Sequence, residues 1–290
     1  MRLLGIDHVT AITASRAECL DFYAGGLGLE PGTGCNGGDL CFGDSREGPA
    51  VLRFADQPGA SAGTPGPGMV HTVRWWVPGR RALEQWAARL EGGGIPCGMA
   101  LDAAEDPVAL QFSDPEGLGH ELISRPTTER RLPRPPVPGM PPALTLAGVR
   151  AFVAGSVQSF DLLAGRLGFS ALGEREWQVG PPPAPARYAC DPPPANRPFQ
   201  GAGTVHHVAW RCAPGEERAW RQRVIGMGAT VSRLAEEDGI RWFFFREPDG
   251  VLFSVASYAA AGLRLEPPLP TRPRELPPRI ARPIGLRAAA

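Results

Sequence analysis

Hydrophobic and polar residues alternate over several short stretches of the chain, which is typical of β-strands with two different faces. The stretch "VLFSVAS", after the turn "REPDG", shows the pattern. Phe253 and Val255 share one face and are large enough to pack against a helix. Leu252, Ser254 and Ala256 share the other face. The alternation predicts a strand whose second face is small and partly polar, with a serine at its centre.

The same order of a strand, a helix and further strands recurs four times along the chain. The repeated units span residues 3–55, 68–124, 144–199 and 203–258. Units one and three share the related stretches "FYAGGLGLE" and "LLAGRLGFS", and units two and four share "GMVHTVRWW…FSDPEGLGHELIS" and "GTVHHVAWR…FREPDGVLFSVAS". The pattern predicts an α+β fold of four βαβββ units forming two modules, each a curved mixed β-sheet around a cavity.

Proline-rich segments suggest where the modules begin and end. The predicted divisions are a first module over 1–125, a Pro-rich linker over 126–143, a second module over 144–260, and a Pro/Arg-rich C-terminal tail over 261–290. The proline and arginine density of the linker favours an extended segment lying over the surface.

Composition excludes several kinds of partner. The 290 residues are 43% apolar and 21% charged, as in ordinary globular proteins, and thirty basic residues balance thirty acidic ones. We therefore expect neither nucleic acid nor a membrane as a partner. No apolar run is long enough to span a bilayer, and the N-terminus does not resemble a signal peptide.

Six scattered cysteines without a Cys-x-x-Cys pair favour free thiols in a reducing cytoplasm.

A histidine on the first strand of a four-unit βαβββ chain resembles the vicinal oxygen chelate superfamily, which includes glyoxalases, bleomycin-binding proteins and extradiol dioxygenases. Within that superfamily, the chain resembles the dioxygenases that cleave the rings of hydroquinones and related aromatics. The stretches that carry the resemblance are "IDHVTAIT", "DFYAGGLGL", "GTVHHVAWR", "FREPDGVLFSVA" and "LEPPLPTRPRELPPRI". They extend over nearly the whole chain.

The resemblance implies a metal site and also a departure from it. In that family, a non-haem iron is held by a histidine of the first unit and by a histidine and a glutamate of the fourth. His8 and His207 match the two histidines, but Ser254 stands where the glutamate is expected. His8, His207 and Ser254 are therefore the candidate catalytic residues, with His8 and His207 as the metal ligands and the third ligand missing.

Further pocket positions follow from the same alignment. Phe244 replaces a tyrosine of the family and cannot donate a hydrogen bond, and Asp39 falls near its usual histidine. Thr10 and Leu252 share strand faces with the candidate site, and His206 is expected to pack beside it. We expect all five to contact substrate.

The serine leaves three interpretations open, because a serine hydroxyl stays protonated at neutral pH and is a poor metal ligand. Fe(II) or another divalent metal is retained with Asp39, Glu247 or the substrate itself as a replacement ligand. Alternatively, the metal is absent and the histidines act as acids, bases or hydrogen-bonding groups. Third, the cavity only binds an aromatic ligand. A fourth interpretation is that both histidines are inherited, hydrogen-bonded interior residues without a role in function.

A second cluster in units two and three is expected to be structural. His71 and Glu121 lie on strands equivalent to those of His206 and Ser254, but Arg150 stands at the position of His8. Arg150 would form an ion pair with Glu121 and repel a cation.

These inferences together predict a ring-cleaving-dioxygenase-like protein that acts on an aromatic or quinone-like small molecule. The alternative is a metal-free enzyme or a small-molecule binding or resistance protein of the same superfamily. The expected partner is a small aromatic ligand, the expected location is the cytoplasm, and a homo-oligomer is compatible with the sequence.

Overall fold

A computed structural model describes residues 1–32, 39–44, 50–125, 140–182, 185–237 and 240–258. The predicted tail and residues 126–139 of the predicted linker lie outside these ranges.

All four predicted units are present. Unit one contains β1 (Ile6–Thr13), α1 (Arg16–Leu20), β2 (Glu30–Pro31), β3 (Leu40–Gly43) and β4 (Ala50–Asp56). Unit two contains β5 (Met69–Pro78), α2 (Arg80–Gly92), β6 (Cys97–Leu101), β7 (Pro107–Ser113) and β8 (Gly119–Arg125). Unit three contains β9 (Thr145–Phe152), α3 (Val157–Asp161), β10 (Ser170–Ala171), β11 (Glu176–Val179) and β12 (Ala186–Asp191). Unit four contains β13 (Val205–Arg211), α4 (Glu217–Ile225), β14 (Ala235–Glu237), β15 (Ile240–Arg246) and β16 (Leu252–Tyr258).

Units one and three share local structure as well as sequence. Their helices begin after Ser15 and Ser156, whose hydroxyl oxygens accept hydrogen bonds from backbone N–H groups three residues later. Each helix then widens into a π-helical segment, Asp21–Gly26 in unit one and Leu162–Arg166 in unit three. The repeat predicted from "FYAGGLGLE" and "LLAGRLGFS" is therefore a repeat of structure.

The strands form two eight-stranded mixed sheets, which confirms the predicted fold class. The first sheet has the order β14-β15-β16-β13-β1-β4-β3-β2, and the second has the order β10-β11-β12-β9-β5-β8-β7-β6. In every unit the first strand pairs in parallel with the last strand of that unit. The other edge of each first strand pairs with a first strand from another unit, β1 with β13 and β5 with β9.

The two sheets do not follow the module divisions predicted along the chain. The first sheet joins units one and four, and the second joins units two and three. Each predicted module thus contributes one unit to each sheet. The first sheet can therefore bring residues near the N-terminus beside residues some two hundred positions later.

The two faces of β16 differ as the alternation predicts. Phe253 and Val255 belong to the large buried core, which contains residues of both sheets, while Leu252, Ala256 and Tyr258 belong to a separate apolar cluster. One face of the first sheet therefore packs in the main core at β16, and the other face carries the residues of the candidate site.

Cysteine chemistry differs from the expectation at one position. Cys19, Cys97, Cys190 and Cys212 are free thiols, whereas Cys41 is disulfide-bonded. The expectation that every cysteine is free was therefore wrong, and the cytoplasmic location loses that support. No helix in the described part of the chain is long and apolar enough to cross a membrane.

Candidate functional site

One face of the first sheet, here termed the histidine face, gathers polar side chains from four adjacent strands and an aromatic ring from a fifth. It carries His8, Thr10, Arg53, His207, Phe244 and Ser254. Neighbouring strands place these residues side by side, although units one and four lie at opposite ends of the chain.

The two predicted histidines lie close together on this face. The antiparallel pairing of β1 with β13 sets His8 opposite Ala209 and Thr10 opposite His207. The two imidazole centroids are 5.5 Å apart in an edge-to-face arrangement, and both rings are buried. The structure thus brings together the two histidines that the sequence places 199 positions apart.

Ser254 and Phe244 complete one side of the face. Ser254 is paired with Ala209 across β13 and β16 and with Phe244 across β15 and β16. The Phe244 ring meets the His207 ring edge-to-face, with centroids 5.0 Å apart. Leu252 belongs to the same apolar cluster as Phe244. A neutral serine and an apolar wall therefore stand where the resemblance implies a carboxylate.

A buried carboxylate orients His8. The Nδ1 of His8 lies 2.8 Å from Oδ2 of Asp7, which also accepts a hydrogen bond from the hydroxyl of Tyr258 at 2.5 Å. The Nε of Arg211 donates to the other oxygen of Asp7 at 3.0 Å. Simple alternation would place Asp7 and His8 on opposite faces, but the pairing register shifts between Ile6 and His8. Sequence analysis missed this pairing because a bulge has no clear signature in "IDHVT".

Burial keeps the imidazoles neutral. Burial and the charge of Arg53 lower the pKa of His8 to about 4, although the Asp7 carboxylate raises it. Burial, with the neighbouring His206 and His8, also holds the pKa of His207 well below its usual range. At pH 7, His8 is therefore a neutral imidazole that donates from Nδ1 to Asp7 and presents Nε2 as an acceptor. That Nε2 is buried and has no hydrogen-bond partner within the described ranges.

Arg53 is the site residue that sequence analysis missed. It lies on β4 in register with Thr10 of the parallel strand β1, so both side chains emerge on the histidine face. Arg53 is only 1% exposed, and its Nε and Nη2 have no hydrogen-bond partner among the described residues. The available signal was an arginine at the centre of the apolar run "AVLRFAD".

The charge of Arg53 acts on the whole face. Burial lowers the pKa of the Arg53 guanidinium, while Asp7, Tyr258 and Asp39 raise it, Tyr258 also through a hydrogen bond. Its positive charge in turn lowers the pKa of both His8 and His207. A permanent cation is thus built into the face that the resemblance assigns to a metal cation.

The proposed replacement ligands have other roles. The carboxylate of Glu247 accepts from the Ser159 hydroxyl at 2.6 Å and from backbone N–H groups of its own turn. Asp39 accepts from the backbone N–H of Asp56 at 3.1 Å, and burial raises the pKa of Asp39 to about 6. Asp39 therefore lies beside the end of β4. In the described residues, no three His, Cys, Asp or Glu side chains are arranged to hold a metal ion.

The residues of the histidine face do not fit a divalent iron. Two neutral imidazoles supply no negative charge, Ser254 adds none, and the Arg53 guanidinium repels a second cation in a buried environment. Asp7, the carboxylate that contacts His8, already accepts hydrogen bonds from His8, Tyr258 and Arg211.

His206 contacts the site from beside it. Its Nδ1 lies 3.0 Å from Nδ1 of His207, and its side chain is partly buried. Burial and the charge of Arg246 lower the pKa of His206 to about 4. His206 therefore positions His207 by hydrogen bonding.

The corresponding face of the second sheet is filled with ion pairs. Glu121 lies 3.4 Å from Arg150, as predicted, and also 2.6 Å from Arg74. Asp191 accepts two hydrogen bonds from Arg150, at 2.6 and 2.8 Å, and lies 2.8 Å from His71. These contacts support the structural role expected for this cluster.

Comparison with known proteins agrees with the fold and the repeats. Residues 5–122 match the model of the Glyoxalase/Bleomycin resistance protein/Dioxygenase superfamily. The two mixed sheets are those of two vicinal oxygen chelate modules. The match covers the first two of the four units, and these units are therefore similar to this superfamily.

Individual proteins and solved structures are also similar to this chain. The chain is 29% identical to "Putative ring-cleaving dioxygenase MhqO" of Bacillus subtilis (strain 168) over 88% of this chain and 85% of that protein. The crystal structure of a "putative dioxygenase" from Bacillus subtilis subsp. subtilis str. 168 superposes with a TM-score of 0.75 and 26% identity, covering 90% of this chain and 87% of that one. Glyoxalase I from Zea mays shares the fold at a TM-score of 0.59 and 14% identity, covering 88% and 92%.

Proposed function

We propose that this protein binds an aromatic or quinone-like small molecule on the histidine face without the iron centre of ring-cleaving dioxygenases. The observation that carries the proposal is the buried Arg53, which lies in register with Thr10 and so shares a strand face with His8 and His207. Between the iron-dependent and metal-free alternatives, this arrangement favours the metal-free one.

The walls of the face suit a flat, largely apolar ligand. The adjacent cluster contains Trp242, Phe244, Leu252 and Tyr258, all buried. Aromatic walls with a few polar groups are typical of small-molecule sites. The relatives named as ring-cleaving dioxygenases support an aromatic ligand, because their names describe action on rings.

The polar groups would orient such a ligand by its oxygens. The unpartnered Nε2 of His8 can accept a hydrogen bond from a ligand hydroxyl, since Asp7 holds the Nδ1 proton. The hydroxyl of Thr10, on the same face, is also buried without a partner among the described residues. Buried polar groups without partners are uncommon in folded proteins, and a ligand oxygen would satisfy both.

The test is metal content combined with ligand binding. Protein purified without an affinity tag is analysed for metals, then loaded anaerobically with Fe(II), desalted and assayed for oxygen uptake with catechol and methylhydroquinone. We expect far less than one metal ion per chain, no oxygen uptake, and saturable binding of an aromatic compound by calorimetry. One iron per chain that disappears in His8→Ala and His207→Ala, but persists in the second-sheet control His71→Ala, would refute the metal-free proposal.

A further inference from the structure

We propose that the histidine face recognises an aromatic carboxylate, and that Arg53 is the residue that binds its anionic group. This inference rests on the proposed function and adds the charge and chemical class of the ligand.

The first argument is the state of the guanidinium. Arg53 is 1% exposed, and two of its nitrogens, Nε and Nη2, have no hydrogen-bond partner in the part of the chain that the structure describes. Buried charges are ordinarily paired, because an isolated charge loses its hydration without compensation. Asp7, Tyr258 and Asp39 favour the charged form of Arg53, Tyr258 also through a hydrogen bond. The oxygens of Asp7, however, already accept hydrogen bonds from His8, Tyr258 and Arg211, and Nε and Nη2 of Arg53 stay without a partner among the described residues. Arg53 thus retains donors that a ligand anion could use.

The second argument is which nitrogens are unpartnered. The N–H bonds of Nε and Nη2 lie on the same side of a guanidinium and point in nearly the same direction. They form the fork that binds both oxygens of a carboxylate through two parallel hydrogen bonds. A neutral hydroxyl or a single carbonyl oxygen would use only one of them.

The third argument is the contrast with two arginines of the second sheet, the buried Arg74 and the partly buried Arg150. On the second sheet, Arg74 lies 2.6 Å from both Glu121 and Glu176, and Arg150 binds both oxygens of Asp191. The chain itself thus supplies the carboxylates for both of these arginines. On the histidine face the corresponding carboxylate would come from the ligand.

Neighbouring groups specify a second ligand oxygen. Thr10 lies beside Arg53 in register, and the Nε2 of neutral His8 faces the site as an acceptor. A hydroxyl on the ring could donate to His8 while the carboxylate occupies Arg53. Hydroxylated benzoates combine these two groups with a flat apolar ring.

The experiment compares ligands matched in shape but different in charge. Calorimetry at pH 7.5 measures the binding of 2-hydroxybenzoate, its neutral analogue 2-hydroxybenzamide, and catechol to the wild-type protein. We expect the carboxylate to bind at least tenfold more tightly than the amide. Equal affinities for carboxylate and amide would overturn the role of Arg53 but leave the proposed function intact. Absence of binding by all three would refute both.

Variants then assign the preference to one residue. Arg53→Gln should remove the preference for the carboxylate and leave the affinity for the amide within about twofold of wild type. Arg53→Lys should retain part of the preference, because lysine keeps the positive charge but lacks the two parallel N–H donors. Arg241→Gln, at an exposed arginine of β15, is the matched control and should keep the wild-type ratio. A full preference in folded Arg53→Gln would contradict the assignment. If that variant does not fold, the wild-type ligand comparison still decides the charge preference.

Discussion

Arg53 pairs in register with Thr10 across the parallel strands β1 and β4, which places its guanidinium on the strand face that carries His8. This relationship changes the meaning of Ser254. A serine in place of a carboxylate ligand is unfavourable for a site that holds a divalent metal ion. It is compatible with a site in which a fixed guanidinium supplies the positive charge.

A carboxylate introduced at position 254 should not by itself create an iron site. In Ser254→Glu, we expect the new glutamate to meet a face whose charge is already set by Arg53, so that anaerobic Fe(II) titration detects no tight site. In the double variant Arg53→Met/Ser254→Glu, two histidines and a glutamate would face a pocket without a competing cation, and iron affinity should rise at least tenfold. Tight Fe(II) binding by Ser254→Glu alone would show that Arg53 does not oppose a metal.

Asp7 should be a strong stability determinant. Its carboxylate is buried and accepts hydrogen bonds from His8, Tyr258 and Arg211. Asp7→Asn should lower the free energy of unfolding in urea by about 2–4 kcal/mol, because an amide offers one acceptor oxygen and leaves buried donors unsatisfied. Arg211→Ala should cost about 1 kcal/mol, because Arg211 is partly exposed and its loss leaves Asp7 two donors. A larger effect of Arg211→Ala would contradict this ranking.

His120 should make stability depend on pH. Its Nδ1 accepts a hydrogen bond from the Trp75 indole N–H at 3.1 Å, its Nε2 lies 2.9 Å from the Tyr23 hydroxyl, and burial lowers the pKa of His120 to about 3 from 6.5. Below pH 6.5 the unfolded chain binds a proton at this histidine and the folded chain does not, so stability falls as pH decreases. Between pH 6.5 and 5, the loss should be about 2 kcal/mol.

The contribution of His120 can be separated from those of the other buried histidines by the variant His120→Gln. Urea unfolding measured from pH 7.5 to 5 should show a weaker pH dependence in the variant than in the wild type. An unchanged slope would assign the acid sensitivity to other groups.

The ion pairs of the second sheet should matter more than those at the surface. Glu121→Gln removes a buried negative charge between Arg74 and Arg150 and should destabilise the protein by about 3 kcal/mol. Glu236→Gln, which breaks the exposed pair with Arg241, should cost less than about 1 kcal/mol. Thermal and urea unfolding of the two variants side by side provides the check, and equal effects would contradict it.

Some parts of the site could be predicted because they depend on local patterns and the resemblance. Alternation in "VLFSVAS" correctly separated Ser254 from Phe253 and Val255. The histidines matched by the resemblance lie together with Ser254 on one face of the first sheet. Their chemical role also depends on Arg53, which the motifs do not contain.

The sequence by itself determined the four repeated units, the strand faces and the residues that resemble a ligand set, because side-chain period and repeat order are properties of short segments. The tertiary structure alone decided which units share a sheet, that a register shift sets Asp7 against His8, and that Arg53 occupies the histidine face. These features arise from hydrogen bonding between strands distant in the chain. A central arginine in "AVLRFAD" is compatible with either side of a sheet until its neighbours are known, and its burial beside two histidines follows only from the pairing of β1 with β4 and β13.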